Sequence, residues 1–319
     1  MKKYMLPVFL LFICLFVFPS DCVAGAKTGL LLWFNTMIPS VFPFILLTNI
    51  IREFNGIRYF NFIFGPFVKR FFHCSENGSY AVIVGFLCGY PMGAKAVCDS
   101  FSDGCIQKNE AQYILGFCNN PSPMFVLNFV LAACLNRPEL ALLFFSVIYI
   151  SSWINAQLWY FFKYRRRIKS CPAAKAVKNT LSAQTAASAD GCIMSSLSLI
   201  QKIGGYMIMF AILCQLILKI PSGNLSFTPG LLQSAACGFM EQTTGLAILC
   251  GLSVSENIKL VLAAVFVCFG GFAIAAQTYG IVCGQGLSVK YYILSKLSHA
   301  AIAGLFCAVY VFLPVCLNP

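Results

Sequence analysis

Gly85-Phe86-Leu87-Cys88-Gly89-Tyr90-Pro91-Met92-Gly93 and Gly238-Phe239-Met240-Glu241-Gln242-Thr243-Thr244-Gly245 each lie inside an apolar stretch too interrupted to form one helix. The first stretch covers residues 79–97, and the second, 228–250, also holds Pro229 and Gly230. Proline removes a backbone donor, and glycine costs about 1 kcal/mol relative to alanine in a helix interior. In hydrocarbon such breaks are tolerated only where the backbone is buried in protein or lines a wet cavity. Both stretches therefore read as re-entrant helical hairpins. In each half the closing glycine is followed 25 or 26 residues later by a second breaker, Gly270-Gly271 in one and Asn119-Asn120-Pro121-Ser122-Pro123 in the other. A hairpin followed by a broken transmembrane helix, occurring twice, predicts a transporter built of two inverted repeats.

The rest of the chain supplies the membrane for these hairpins. Of 319 residues, 59% are apolar and 10% charged, and the mean hydropathy is +0.81. Soluble domains carry about 25% charged residues, so an all-α polytopic membrane protein is expected. At roughly 20 residues per span the length allows about eight to ten segments. Apolar spans run at about 28–51, 111–134, 139–162, 193–218, 258–283 and 291–316. The net charge of +12 comes mostly from Lys and Arg flanking these spans, which marks topology and gives no stripe for nucleic acid. The seventeen cysteines are scattered singly in apolar sequence and read as small buried hydrophobes, and with two histidines no metal site is expected.

Four regions follow. Residues 1–26, with Lys2 and Lys3 ahead of an apolar run, form a signal-anchor or first transmembrane span, retention being favoured over cleavage. Residues 27–162 form the first repeat, 163–192 a linker and 193–319 the second repeat. The linker carries Lys163, Arg165, Arg166, Arg167, Lys169, Lys175 and Lys178 against Asp190, so it faces the cytoplasm. Counting spans from it leaves only Lys27, Arg137, Lys219 and Lys259 outside. The first hairpin then enters from the cytoplasmic face and the second from the outer face.

The chemistry rests on polar groups forced to membrane depth. Half-helix N-termini favour an anion. Gly89, Tyr90 and Gly93 at the first tip, Asn119, Asn120 and Ser122 at the first break, Gln242, Thr243 and Thr244 at the second tip, and Gln277 beyond the second break are the candidate substrate-binding residues. Asn119 and Asn120 can alternatively cap the break, and Gln277 can serve as interhelical glue. Lys95 is a candidate for attracting a substrate anion or for a local ion pair with Asp99 at i+4. Glu241 is a candidate for coupling to a proton or other cation, or for capping its hairpin turn. No Ser/His, paired-Asp or HExxH constellation is present, so the chain is not expected to be an enzyme, and no cofactor is expected.

Gly89-Tyr90-Pro91-Met92-Gly93-Ala94-Lys95, with Lys108-Asn109-Glu110-Ala111 and Phe117-Cys118-Asn119-Asn120-Pro121-Ser122-Pro123, resembles the sporulation integral membrane protein (YlbJ-like) family. The resemblance extends through Ala26–Pro43, Gly238–Gly245 and Phe269–Phe272 with Gln277. It implies the nucleoside-recognition (Gate) domain and a transporter related to concentrative nucleoside carriers. It further implies dipicolinic acid as substrate, moved out of the mother cell across the outer forespore membrane during sporulation. Ala273, Ala275 and Ala276 stand where the family is expected to be more polar, which weakens a coupling-ion site there. The alternatives are a proton- or sodium-coupled nucleoside transporter and a non-transporting scaffold for spore maturation. Expected partners are dipicolinate or a nucleoside, the lipid bilayer and a coupling cation, with a homo-oligomer left open and no nucleic acid.

Overall fold

The computed structural model describes residues 2–54, 56–168, 189–219 and 229–317. Residues 169–188, most of the expected linker, lie outside them. Helix α1 (Lys2–Val17) is followed by α2 (Pro19–Leu32), which runs through a π turn at Trp33–Met37 into α3 (Ile38–Glu53). The long run thus begins at Pro19, not near residue 28. Pro19 opens α2 after the non-helical Phe18, a position where its missing N–H is not needed. Asp21, polar in the sequence pattern, is held inside the run by an ion pair with Lys219 at 2.6 Å.

Helix α4 (Ile57–Phe72) leads to α5 (Ser79–Leu87) and α6 (Met92–Ser102), the two arms of the first hairpin. Helix α7 (Lys108–Cys118) stops at Asn119, the chain is non-helical through Ser122, and a π-helical segment, Phe125–Cys134, continues beyond. Helix α8 (Ala141–Trp159) lies in the run Pro138–Tyr164. The second half opens with α9 (Ala189–Leu218), followed by the hairpin arms α10 (Pro229–Met240) and α11 (Gln242–Gly251). Helices α12 (Glu256–Phe269) and α13 (Gly271–Val282) are one run broken at Gly270, and α14 (Val289–Leu317) closes the chain.

Among the described residues five runs are long and apolar enough to cross a membrane: Pro19–Glu53, Pro138–Tyr164, Asp190–Leu218, Glu256–Val282 and Val289–Phe312. Most of the remaining apolar sequence is in half-length helices, because glycine and proline divide it. In both hairpins the arms meet at glycine. A methyl group on Gly93 would sit 2.9 Å from the Gly85 Cα, and one on Gly245 would sit 2.1 Å from the Gly238 Cα. Small residues at such crossings let helix backbones approach closely where lipid offers no hydrophobic drive for association.

Contacts fix which end of the bundle each hairpin opens toward. Helix α9 runs antiparallel to α2–α3, since Trp33 Nε1 donates to Ile200 O and Asn49 Nδ2 to Ser196 Oγ, while Lys219 reaches Asp21. The first hairpin opens at the end that holds Arg52, which pairs with Asp99 at 2.7 Å and Asp103 at 3.1 Å. At that end Ser102 also bonds Gln285 and Gln112 bonds Ser288. The second hairpin opens at the opposite end, where Gln233 Nε2 donates to Leu218 O and Lys259 Nζ to Cys250 O. The two tips meet between the ends.

Candidate functional site

The first tip is locked to the first break. Gly89 has φ +79°, and any side chain there would collide with Ser122, whose backbone nitrogen lies 2.5 Å from where a Cβ would be. Tyr90 N donates to Asn120 O at 2.7 Å, and Ala94 N, in the first turn of α6, donates to the Asn119 side-chain oxygen at 3.3 Å. The Asn119 amide donates to Tyr292 Oη at 2.9 Å and Thr278 Oγ1 at 3.3 Å. Asn120 donates to Phe117 O and Ser152 Oγ, and Ser122 Oγ accepts from Phe125 N where the helix resumes. Asn119, Asn120 and Ser122 are all buried and engaged with protein. Gly93 is pressed against Gly85.

The second tip is built on Glu241. Its carboxylate accepts from Thr243 N (3.0 Å), Thr244 N (2.8 Å) and both threonine hydroxyls, which caps α11 at the N-terminus where the helix dipole favours negative charge. The Gln242 side-chain nitrogen donates to the Tyr90 hydroxyl, so the tips touch across 152 residues of sequence. Beside this contact lies an internal cavity of about 10 Å³, lined by Tyr90, Glu241, Gln242 and Gln277 with Val41 and Met207. That is room for about one water molecule. Gln242 Oε1 and both polar atoms of the Gln277 amide are buried without a hydrogen-bond partner. Leaving such groups unpaired costs about 1–3 kcal/mol each, and the two residues that carry them both line the cavity.

Lys95 lies away from this cavity and donates to Asp99 at 2.8 Å, in a triad completed by Arg52. The structure therefore unites Tyr90, Glu241, Gln242 and Gln277, places Asn119, Asn120 and Ser122 in the scaffold behind Tyr90, and leaves Lys95 outside.

Sequence reasoning passed over a polar face of α14. Tyr292, Ser295, Lys296 and His299 are all buried, and their spacing of three, four and seven residues is that of one helix face. Lys296 Nζ donates to Asn119 O (3.0 Å), Asn120 Oδ1 (3.4 Å) and the His299 ring (3.1 Å), so α14 closes the first break from behind. Helix α8 meets the same face through Ser151 and Asn155, and it meets the first break through Ser152. Glu110, on α7, is another buried ionisable group outside the expected set; it accepts from Ser75 N at 2.6 Å.

The fold and its five membrane-length runs define an all-helical, multi-pass integral membrane protein. The chain is similar to the sporulation integral membrane protein YlbJ of Bacillus subtilis (strain 168), at 24% identity over 322 residues that cover 92% of this chain and 78% of the relative. That likeness bears out the resemblance to the YlbJ-like family drawn from the motifs around Gly89 and Asn119. No protein-family model and no solved structure matches the chain.

Proposed function

We propose that the protein is a carrier of a small anionic aromatic metabolite, dipicolinate first, exported from the mother cell across the outer forespore membrane of a sporulating bacterium. The observation that carries this reading is the junction of the two hairpin tips, where Gln242 and Gln277 present unpartnered amide atoms to a buried cavity. The two halves share the order hairpin, broken helix, long helix, and their hairpins open at opposite ends, which supports reading them as inverted repeats around a central site. The sporulation role stated for the relative supports the cellular setting.

The cavity as it stands admits water only, so loading requires the tips to part and the Tyr90–Gln242 contact to open. Separation toward one end or the other is what alternating access demands. Amide N–H groups of the two glutamines then meet carboxylates, and Tyr90 offers a ring and a hydroxyl. The Glu241 oxygens are turned to four donors of its own helix start, which leaves the two glutamine amides as the donors available to a substrate.

A second reading, a nucleoside carrier, is favoured by the Gln277 amide, whose donor and acceptor match the edge of a nucleobase. Uptake of labelled dipicolinate and of uridine into proteoliposomes, with the wild type and a Gln242→Ala/Gln277→Ala variant, separates the readings. Dipicolinate flux lost in the variant supports the first, and uridine flux alone the second. Flux of neither leaves the scaffold role.

A further inference from the structure

Lys296 is only 1% exposed and His299 is fully buried. The His299 Nε2 atom lies 3.2 Å from Ile148 O and 2.9 Å from Ser151 Oγ. A carbonyl can only accept, so Nε2 carries the hydrogen and Nδ1 keeps its lone pair, which makes Lys296 the donor in the 3.1 Å contact between them. The amine thus finds three acceptors, Asn119 O, Asn120 Oδ1 and His299 Nδ1, one for each hydrogen of an ammonium, and all three are neutral. Among the described residues no carboxylate lies within ion-pair distance of it.

The compensating charge comes from helix ends. Asn119 is the residue at which α7 stops, and the Cys268 backbone, at the last turn of α12, reaches His299. One half-helix C-terminus from each half of the chain therefore converges on the Lys296–His299 pair. Each such terminus carries the equivalent of roughly half a negative charge. In broken-helix carriers, half-helix C-termini and unwound carbonyls are the groups that hold a coupling sodium ion or proton.

We propose that Lys296 occupies the place of that coupling cation with its own protonated amine, so that proton binding at Lys296, and not sodium binding, drives the transport cycle. The proposal rests on the carrier reading. The titratable groups that act on Lys296 are Cys118 from α7, Cys268 from α12 and His299 from α14 itself; one bond further out, Ser151 of α8 meets His299, and Tyr292 of α14 and Thr278 of α13 meet Asn119. Deprotonation would withdraw the cation from Asn119 and Asn120, whose backbone holds the first hairpin tip through Tyr90 N. The state of the amine is thereby transmitted to the residues that close the cavity.

The test uses the full chain in proteoliposomes, with labelled dipicolinate and labelled uridine as probes. The expected result is accumulation driven by a pH gradient and unchanged when sodium is replaced by choline. A Lys296→Met variant is expected to lose gradient-driven accumulation while retaining exchange of probe between the two sides. Sodium-dependent accumulation in the wild type, or pH-driven accumulation that survives in Lys296→Met, overturns the proposal. If the wild type moves neither probe, by net flux or exchange, the carrier reading falls and takes the coupling role with it. The placement of Lys296 as resident cation is then decided by melting the detergent-solubilised wild type in sodium and in choline chloride. Equal melting temperatures support it, and a sodium-dependent rise overturns it.

Discussion

The Gln242 side chain donates to the Tyr90 hydroxyl and joins the tips of two hairpins that enter the bundle from opposite ends. Among the described residues it is the one side-chain hydrogen bond between the tips, so it must break if they separate. Replacing Tyr90 by Phe removes the acceptor, keeps the ring and leaves the buried Gln242 amide nitrogen unpaired, at a cost of about 1–3 kcal/mol. Tyr90→Phe is expected to lower the melting temperature slightly and to speed exchange of probe across proteoliposomes, since the closed state loses that bond. Unchanged exchange together with unchanged melting would remove this contact from the gating step.

Gln277 tests recognition apart from folding. Its amide has no protein partner in the buried cavity, so Gln277→Met, of similar length, relieves an unsatisfied group. The melting temperature should hold or rise, while the probe's half-saturation concentration should increase by about tenfold, the equivalent of about 1.4 kcal/mol. A variant that melts earlier and transports normally would make Gln277 structural glue after all.

The glycine crossings separate tight packing from ordinary helix propensity. A methyl group at position 245 would lie 2.1 Å from the Gly238 Cα and 2.3 Å from its nitrogen, so Gly245→Ala forces the second hairpin apart. Overpacking of this kind costs about 1–3 kcal/mol or more, and the variant should be recovered poorly from membranes. Gly205, inside α9, has open space around it, and Gly205→Ala should be neutral or stabilising by up to about 1 kcal/mol. Thermal melting of the two variants side by side checks both.

Lys95 should matter little to transport. It is partly exposed and paired with Asp99 at i+4, and such pairs contribute about 0.3–0.5 kcal/mol. Lys95→Ala is expected to leave probe flux within about twofold of wild type, the size of that pair energy. A complete loss of flux would return Lys95 to the binding site.

What the sequence disclosed was the set of interruptions, because a proline or glycine in an apolar run has a local physical cost that a reader can apply residue by residue. Gly89–Pro91, Asn119–Pro123 and Gly270 all fall where the helices stop. The polar face of α14 escaped for the opposite reason. Lys296 and His299 sit in a run whose average is apolar, and their meaning depends on α7 and α12 ending opposite them, which is a tertiary fact. The role of Glu241 was open between coupling and capping, and only the positions of Thr243 and Thr244 show the four donors that cap the turn. The start of the long first run at Pro19 was obscured by Asp21, whose partner Lys219 lies far away in sequence.

Asn119 carries the last prediction, because it ties three elements together. Its amide serves Tyr292 and Thr278, and its side-chain oxygen accepts from Ala94 N at the start of α6. Asn119→Ala strands these groups in a buried setting at about 1–3 kcal/mol for each group left unpaired, so a marked fall in melting temperature is expected. Tyr292→Phe removes only one of the bonds and should cost about 1 kcal/mol. If the Asn119–Tyr292 bond acts as the geometry indicates, the double variant will be less destabilised than the sum of the two singles, with an interaction energy within the range of about 0.5–3 kcal/mol seen for contacting residues. Strict additivity in that cycle would mean that Asn119 holds the first hairpin through Ala94 and Thr278 alone, and that α14 reaches the break only through Lys296.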